Sequence, residues 1–387
     1  MQNVVNRALA AKKKILFLAA ICCVAWINAQ EIATWSGFRK GVASFTFDDG
    51  APSHLSVVAP MFDKYGYKAS FYLVVNWNPN WDGFQELADN GYEIGSHSNS
   101  HPQNMSGEEA SSKENIQDHI LNHQCLTVAY PNCNVPNATA VLQNYIAGRI
   151  CNGSFQSMSD YMGKDGPDNW AKVPAIITGA EGNIKTGSDF ANAMQKVIQS
   201  NGWVMFMIHG LQGKPNGNAA YSPTDSAAID GALKWAKQND KDIWITTFGN
   251  ATMYCKERKA SSFTETARNT TDISYSLTHS IADDVCAYQF PLSLRVLMPE
   301  GWTKVQVRQN GNIIPSQIDE GYIYFDAVPN GGAIIVRDAS TDALDPEVSP
   351  LIGETGFRWK GGKVLKDGQL FIERDGHTYN ATGQEVR

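Results

Sequence analysis

The first strong pattern is an alternation of short apolar runs with amphipathic stretches. Val42-Ala43-Ser44-Phe45-Thr46-Phe47 is a β-rich run. Leu55, Val58, Ala59 and Phe62 then recur at i, i+3, i+4 and i+7, the signature of one helix face. Gly66 ends that helix, and Ala69 to Val75 reads as the next strand. Trp81 to Asn90 reads as a helix closed by Gly91, and Tyr92-Glu93-Ile94-Gly95 leads into a histidine-bearing run. Ser106 to about Gln124 is predicted helical, with Ser106 and Glu109 spaced as a capping box. Thr127 to Tyr130 is a strand stopped by Pro131.

The series continues with a helical face at Phe190, Met194, Val197 and Ile198 and a fully apolar strand from Trp203 to Ile208. Ser222-Pro223 predicts a helix start, with Ile229, Ala232, Leu233 and Ala236 on its buried side. Ile243 to Phe248 is the last strand. Repeated strand–helix units imply a parallel sheet, and this many favour an α/β fold of the distorted (β/α) barrel kind.

Beyond Ala260 the pattern shortens. Ser293–Met298, Lys304–Val307, Tyr322–Phe325 and Ala333–Val336 are brief runs separated by Gly, Pro and Asn, which predicts a small antiparallel, sandwich-like β domain over 261–338. A polar stretch follows. The tail reads as one or two hairpins around Lys366-Asp367-Gly368 and Arg374-Asp375-Gly376, within a linker and hairpin segment spanning 339–387.

Composition narrows the classes. The chain has 387 residues, 43% hydrophobic and 18% charged, which suits several folded domains. The net charge is −7 with no basic stripe, which argues against nucleic acid as a partner. Ten Trp and fourteen Tyr fit either large cores or sugar-stacking surfaces. Arg7 and Lys12-Lys13-Lys14 precede an apolar run from Ile15 to Ile27, and Ala29 offers a small residue at a cut. Residues 1–29 thus read as a signal peptide, too short in its apolar part for a stable membrane span. The expected location is secreted or at the cell surface, with a barrel domain over 30–260. An exported chain can form disulfides. Cys125 with Cys133, and Cys255 with Cys286, are conceivable pairs, and spacing does not choose between pairings.

Candidate chemistry gathers at the ends of predicted strands, which converge on one face of a parallel barrel. Asp48-Asp49, His97, Asn132 and His209 each follow such a strand. One Asp-Asp-Gly is ordinarily a turn, and His119-x3-His123 has the same spacing as His97-x3-His101 on a predicted solvated helix. What sets His97 and His101 apart is their place after a strand, in company with the acids. Two imidazoles and a carboxylate suit a divalent metal, zinc foremost. The second carboxylate is then left over as a base. Gly-x-Ser-x-Gly and His-Glu-x-x-His are both absent, against a serine esterase and a zincin protease.

These residues carry a resemblance. Thr46-Phe47-Asp48-Asp49-Gly50, His97-Ser98-Asn99-Ser100-His101, Tyr130-Pro131 and Phe206-Met207-Ile208-His209 resemble, in order and spacing, motifs of the polysaccharide deacetylases of carbohydrate esterase family 4, the NodB-homology domain. The resemblance spans residues 41 to about 250. It implies a metal held by Asp49, His97 and His101, Asp48 as general base and His209 as general acid. It also implies an oxyanion-stabilising amide near Asn132, with Tyr130 and Trp170 along the substrate groove. The family's acid–Trp motif is loosely matched by Asp165-Gly166-Pro167-Asp168-Asn169-Trp170, which makes Asp165 or Asp168 the candidate to orient His209. The family's third motif carries an arginine beside the base, whereas Val128-Ala129-Tyr130-Pro131 has none. That omission predicts a base whose pKa is less depressed than in relatives. The implied partner is an acetylated polysaccharide or oligosaccharide, with N-acetyl and O-acetyl groups equally open. A catalytically silent glycan-binding protein on the same fold is the alternative. The ending from about Trp359 is similar to type IX secretion sorting segments.

Overall fold

The computed structural model describes residues 30–151, 160–282 and 284–340, together with tail strands between 362 and 386. The proposed signal peptide lies outside the described residues. So do most of the linker and residues 152–159. The chain falls into two compact units, one holding Phe38–Lys256 and the other holding the chain up to Gly37, Glu257–Ile281 and Tyr288–Asp345. No helix among the described residues is long and apolar enough to cross a membrane.

The strand β1 (Gln30–Ile32) pairs antiparallel with residues 294–296 of the second unit. The pairing puts this strand with the β-rich unit, not with a barrel domain opening at residue 30 as the sequence predicts.

The first unit is built on β2 (Gly41–Asp48), β3 (Ser70–Leu73), β4 (Glu93–Ser96), β5 (Thr127–Ala129), β6 (Ala147–Arg149), β7 (Tyr161–Met162), β8 (Ile176–Ile177), β9 (Trp203–Ile208) and β10 (Ile243–Ile245). The order is β6-β5-β4-β3-β2-β9-β7, with β10 beside β2 and β8 beside β9. All pairings are parallel except β7 with β9. The segment leading into β8 closes the gap, since Val173 exchanges backbone hydrogen bonds with Gly148 and Ile150 of the β6 edge at 2.9 and 2.8 Å. This is the distorted barrel that the alternating pattern implies.

Period-two patterning sorts the two faces of each buried strand. On β2, Ala43, Phe45 and Phe47 face the helices and join one core with Phe62, Phe71, Phe190 and Phe206. Ser44, Thr46 and Asp48 alternate with them and turn inward. The inside is therefore polar, and its groups are paired. Glu93 accepts from Ser70 Oγ and Thr127 Oγ1 at 2.6 Å each and from the Gly249 amide at 2.8 Å. Tyr72 bonds Thr127 at 2.7 Å. Gly95 is required beside it, because a Cβ there would lie 2.4 Å from the Tyr72 ring.

Two predicted helix starts differ from those observed. The helix Glu109–His119 has no Ser106 cap: Ser106 Oγ donates to Asn104 Oδ1 at 2.7 Å instead. The helix Ser226–Gln238 begins beyond Ser222-Pro223, capped by Asp225, which accepts from the Ala227 amide at 2.9 Å. Ser222 is held in a left-handed turn (φ 44°), donating to the Thr178 carbonyl. A full capping box does form at Thr186 and Asp189.

The second unit holds β11 (Ser262–Arg268), β12 (Asp272–Thr278), β13 (Leu292–Leu297), β14 (Val305–Gln309), β15 (Asn312–Ile314), β16 (Ser316–Asp319), β17 (Tyr322–Ala327) and β18 (Ile334–Asp338). They form two antiparallel sheets, ordered β1-β13-β17-β16 and β11-β12-β18-β14-β15. Phe263 of one sheet meets Phe325 of the other, ring centroids 6.5 Å apart. In the tail, Gly362–Lys366 pairs antiparallel with Gln369–Arg374, which pairs with His377–Asn380; the two Asp-Gly pairs lie outside the described residues.

Candidate active site

The inward row of each strand delivers one polar residue to the C-terminal end of the barrel. Phe47 pairs with Ile208, so the next residues, Asp48 and His209, sit side by side on neighbouring strands, about 5 Å apart in the hydrogen-bonding direction. His97 follows β4, and Arg149 ends β6.

Asp49, His97 and His101 converge. One ligand atom from each lies within 4.8 Å of the others, with Asp49 Oδ1 at 3.5 Å from His97 Nε2 and 3.8 Å from His101 Nε2. His97 Nδ1–H donates to the Ala129 carbonyl at 2.7 Å, which leaves the Nε2 lone pair facing Asp49. The loop between the histidines is pinned. Glu108 accepts from the Asn99 and Ser100 amides at 2.7 and 3.1 Å, and Ser98 Oγ accepts from the His101 amide at 2.9 Å. Asp49, Ser98 and His101 all take positive φ (75°, 72° and 55°), local strain of the sort that functional sites hold. The His101 ring stacks on Trp77, centroids 4.9 Å apart.

The donor set fits a divalent cation. Asp49 Oδ1 is buried with no hydrogen-bond partner among the described residues. Burial, then the charge of Asp48, pushes the Asp49 carboxyl up to about 8. Burial lowers His97 to about 4 and also lowers His101, so both imidazoles are neutral ligands near pH 7. A positive ion at this point would satisfy the orphaned oxygen and both lone pairs.

Asp48 is paired after all. Arg149 Nη2 donates to its two carboxylate oxygens at 2.6 and 2.5 Å, with both side chains buried. This overturns the expectation of a base without an arginine. The guanidinium comes from the next strand, β6, rather than from the third-motif strand β5. Burial alone would raise Asp48; Arg149, then His97 and His209, outweigh it and hold the carboxyl below its ordinary value. In a flat sheet β6 would lie four strands from β2, roughly 19 Å away, so this ion pair requires the curl of the barrel. Arg149 also lies over the Tyr72 ring, 5.6 Å from its centroid.

His54 is the second functional residue that the sequence reading passed over. Its ring is fully buried against Phe47 and Phe71. Nε2–H donates to the His209 carbonyl at 2.9 Å, and Nδ1 accepts from the Ala51 amide at 3.2 Å. It ties the turn after β2 to the end of β9. A lone arginine in Tyr145-Ile146-Ala147-Gly148-Arg149-Ile150, and a histidine four residues after Gly50, were the signals available.

Residues 36–144 match the family model described as polysaccharide deacetylase. The match lies almost wholly within the first unit and covers less than a third of the chain. The match takes in Asp48, Asp49, His97, His101 and Asn132, while Arg149 and His209 lie beyond it. A gellan lyase from a Bacillus species is 24% identical over 80% of this chain, which covers 13% of that relative's length. Among solved structures, the chain is similar to the Xyl-CE4 domain of a multidomain xylanase from the hindgut metagenome of Trinervitermes trinervoides (17% identity, 54% of this chain and 88% of that one, TM-score 0.35). It is also similar to a family 4 acetyl xylan esterase from Clostridium thermocellum (17% identity, 54% and 89%, TM-score 0.33). Likeness at this level fixes no substrate for this chain.

Within the first unit, other predicted residues stand elsewhere. The Tyr130 ring is buried, its hydroxyl donating to the Ala171 carbonyl at 2.8 Å, so it builds core rather than groove. Asn132 lies in a left-handed turn at the rim, its amide Nδ2 donating to the Pro102 carbonyl at 3.1 Å. Trp170 packs towards Trp203 and under Lys256. Trp203 begins β9 and His209 follows its other end, roughly 20 Å of strand away, so Trp170 is not at the site. Asp165 is exposed beside Lys164 and Asp168 is exposed; neither reaches His209, whose Nδ1 has no hydrogen-bond partner among the described residues. The cysteines differ too: Cys133 is bridged to Cys151, not to Cys125, which is a buried thiol. The bridge joins the Asn132 turn to the end of the strand that carries Arg149.

Proposed function

We propose that this is an exported, zinc-dependent carbohydrate deacetylase that removes N- or O-linked acetyl groups from a polysaccharide. The observation that carries the reading is one partly buried cluster in which the Asp49 carboxyl group and two neutral imidazoles face each other beside a second carboxylate held ionised by Arg149. A divalent ion on Asp49, His97 and His101 would supply Lewis acidity to the water and the acetyl carbonyl. Asp48, kept anionic by Arg149, accepts the proton of the attacking water. The backbone amide of the Asn132 turn stabilises the negative charge that builds on the carbonyl oxygen. His209 protonates the departing sugar oxygen or nitrogen. Burial lowers its pKa in the resting site, so the proton that Asp48 takes from the water is the one that passes to His209, as negative charge develops beside it, and on to the departing atom. The leader-like run at 1–29 supports export. A silent binding protein on the same fold has two motives, a base lacking its arginine and a loosely matched acid–Trp motif; Arg149 answers the first, and the second stands, since neither Asp165 nor Asp168 bonds His209 Nδ1.

The test is acetate release from acetylated xylan, chitin oligosaccharides and peptidoglycan fragments. The parent releases acetate from at least one, and Asp48→Ala lowers kcat at least about a hundredfold, as expected for loss of a general base. Release by Asp48→Ala at the parent rate would remove Asp48 from the reaction.

A further inference from the structure

Two aromatic side chains stand at the rim of the site without a place in the chemistry above. Trp77 follows β3 and stacks on His101, rings 26° from parallel. Tyr221 follows β9, and its ring meets His209 edge to face, centroids 5.2 Å apart at 81°. The sheet order puts β2 between β3 and β9; at its end Asp49 is 3.8 Å from His101, on which Trp77 stacks, and Asp48 is the neighbour of His209, which Tyr221 meets. Each ring flanks a residue of the reaction centre, one a metal ligand and the other the proposed acid.

Tyr221 is 55% exposed, the one aromatic among the large hydrophobic residues that the described surface leaves open. Its exposure does not come from a loose loop. Ala219 and Ser222, on either side, are buried. Gly210 and Ala219 pair through their backbones at 2.8 Å, Leu211 and Gln212 run beside Thr224, and Ser222 is fastened between Thr178 and Glu181. Asn216 braces the loop interior, accepting from the Leu211 amide at 2.8 Å and from Ser53 Oγ at 3.0 Å. A well-anchored loop that spends an aromatic ring on solvent, in contact with a catalytic imidazole, has built a platform for a ligand. Because the ring touches His209, whatever lies on it is within reach of that histidine.

We propose that Tyr221 and Trp77 are the two walls of a glycan cleft, each seating the apolar face of a pyranose ring, one on either side of the sugar whose acetyl group is cleaved. A pyranose fits because it offers a flat C–H face to an aromatic ring and hydroxyls to the surrounding water and amides. The cleft takes its ligand class from the deacetylase reading, but it makes a claim about binding that can be tested without turnover.

The experiment measures Kd for acetylated xylohexaose and N-acetylated chitohexaose by calorimetry, and KM and kcat for acetate release. It uses the zinc-loaded parent, Tyr221→Ala, Tyr221→Phe and Trp77→Ala. For the hexaose that the parent binds, Tyr221→Ala and Trp77→Ala weaken Kd about tenfold each, while Tyr221→Phe stays within about twofold, because the ring face and not the hydroxyl carries the contact. KM rises in step with Kd, and kcat falls less than KM rises. Parent-like Kd in both alanine variants overturns the cleft, as does a parent that binds neither hexaose. A parent that binds a hexaose through Tyr221 but releases no acetate upholds the cleft and sinks the deacetylase reading. Acetate release with KM unmoved by Tyr221→Ala and Trp77→Ala does the reverse.

Discussion

Arg149 shows how a single side chain can be decisive and still be hidden in a linear sequence. Asp48, Asp49 and His209 could be found because they stand at the ends of apolar runs, and His97 and His101 by their spacing after a predicted strand. Arg149 ends a three-residue strand with no such run, and its partner lies 101 positions away. Only the curl of the sheet brings them together. Removing one partner of a buried ion pair leaves the other charge uncompensated, which costs about 3–5 kcal/mol. Arg149→Met is therefore expected to lose about that much in urea unfolding and to lose most of the acetate release; a loss under about 1 kcal/mol would contradict the pairing. His54 yields a pH prediction. Burial lowers it to about 4 in the folded chain, against an ordinary 6.5. Its contribution to stability is complete above about 6.5. It is lost as pH falls towards 4, because the unfolded chain takes up the proton first. Over that interval the advantage of the parent over His54→Asn should shrink by about 3 kcal/mol, read from unfolding curves at stepped pH. An advantage that is flat with pH would mean that His54 is not buried neutral.

Strands and helices were legible from period, and the ends of elements were not. Ser106 and Ser222 both had the spacing of helix starts, but each hydroxyl found a nearer partner, Asn104 in one case and the Thr178 carbonyl in the other. Local side-chain bonds of this kind compete with capping, and sequence spacing does not show which wins. The acid–Trp run at 165–170 failed for a related reason: it has the right residue types at the wrong end of β9. The bridge between Cys133 and Cys151 belongs to this scale, since it joins the turn after β5 to the end of β6 across 18 residues. Closing a loop of that length is worth about 3 kcal/mol in the chain-entropy account. A Cys133→Ala/Cys151→Ala variant should lose about that much stability, and a reductant should lower Tm in the parent but not in the variant. A Tm in the parent that does not respond to reductant would count against the bridge.

For the molecule as a whole, the barrel was readable because each strand–helix unit repeats the same hydrophobic logic. The β-rich unit was readable as far as its character. Its recruitment of Gln30–Ile32 was not, since three residues carry no period and their partner strand lies more than 250 positions on. The barrel matters to function because curling the sheet gathers the ends of β2, β4, β6 and β9 into one polar cluster beside pinned loops. The central claim is that this cluster acts through a bound divalent ion. It is tested by the rate of acetate release from an acetylated glycan before chelation, after chelation verified by elemental analysis, and after zinc is returned. The account predicts loss of release in the metal-free protein and recovery with one equivalent of zinc per chain. Release at the original rate from protein shown to be metal-free would contradict it.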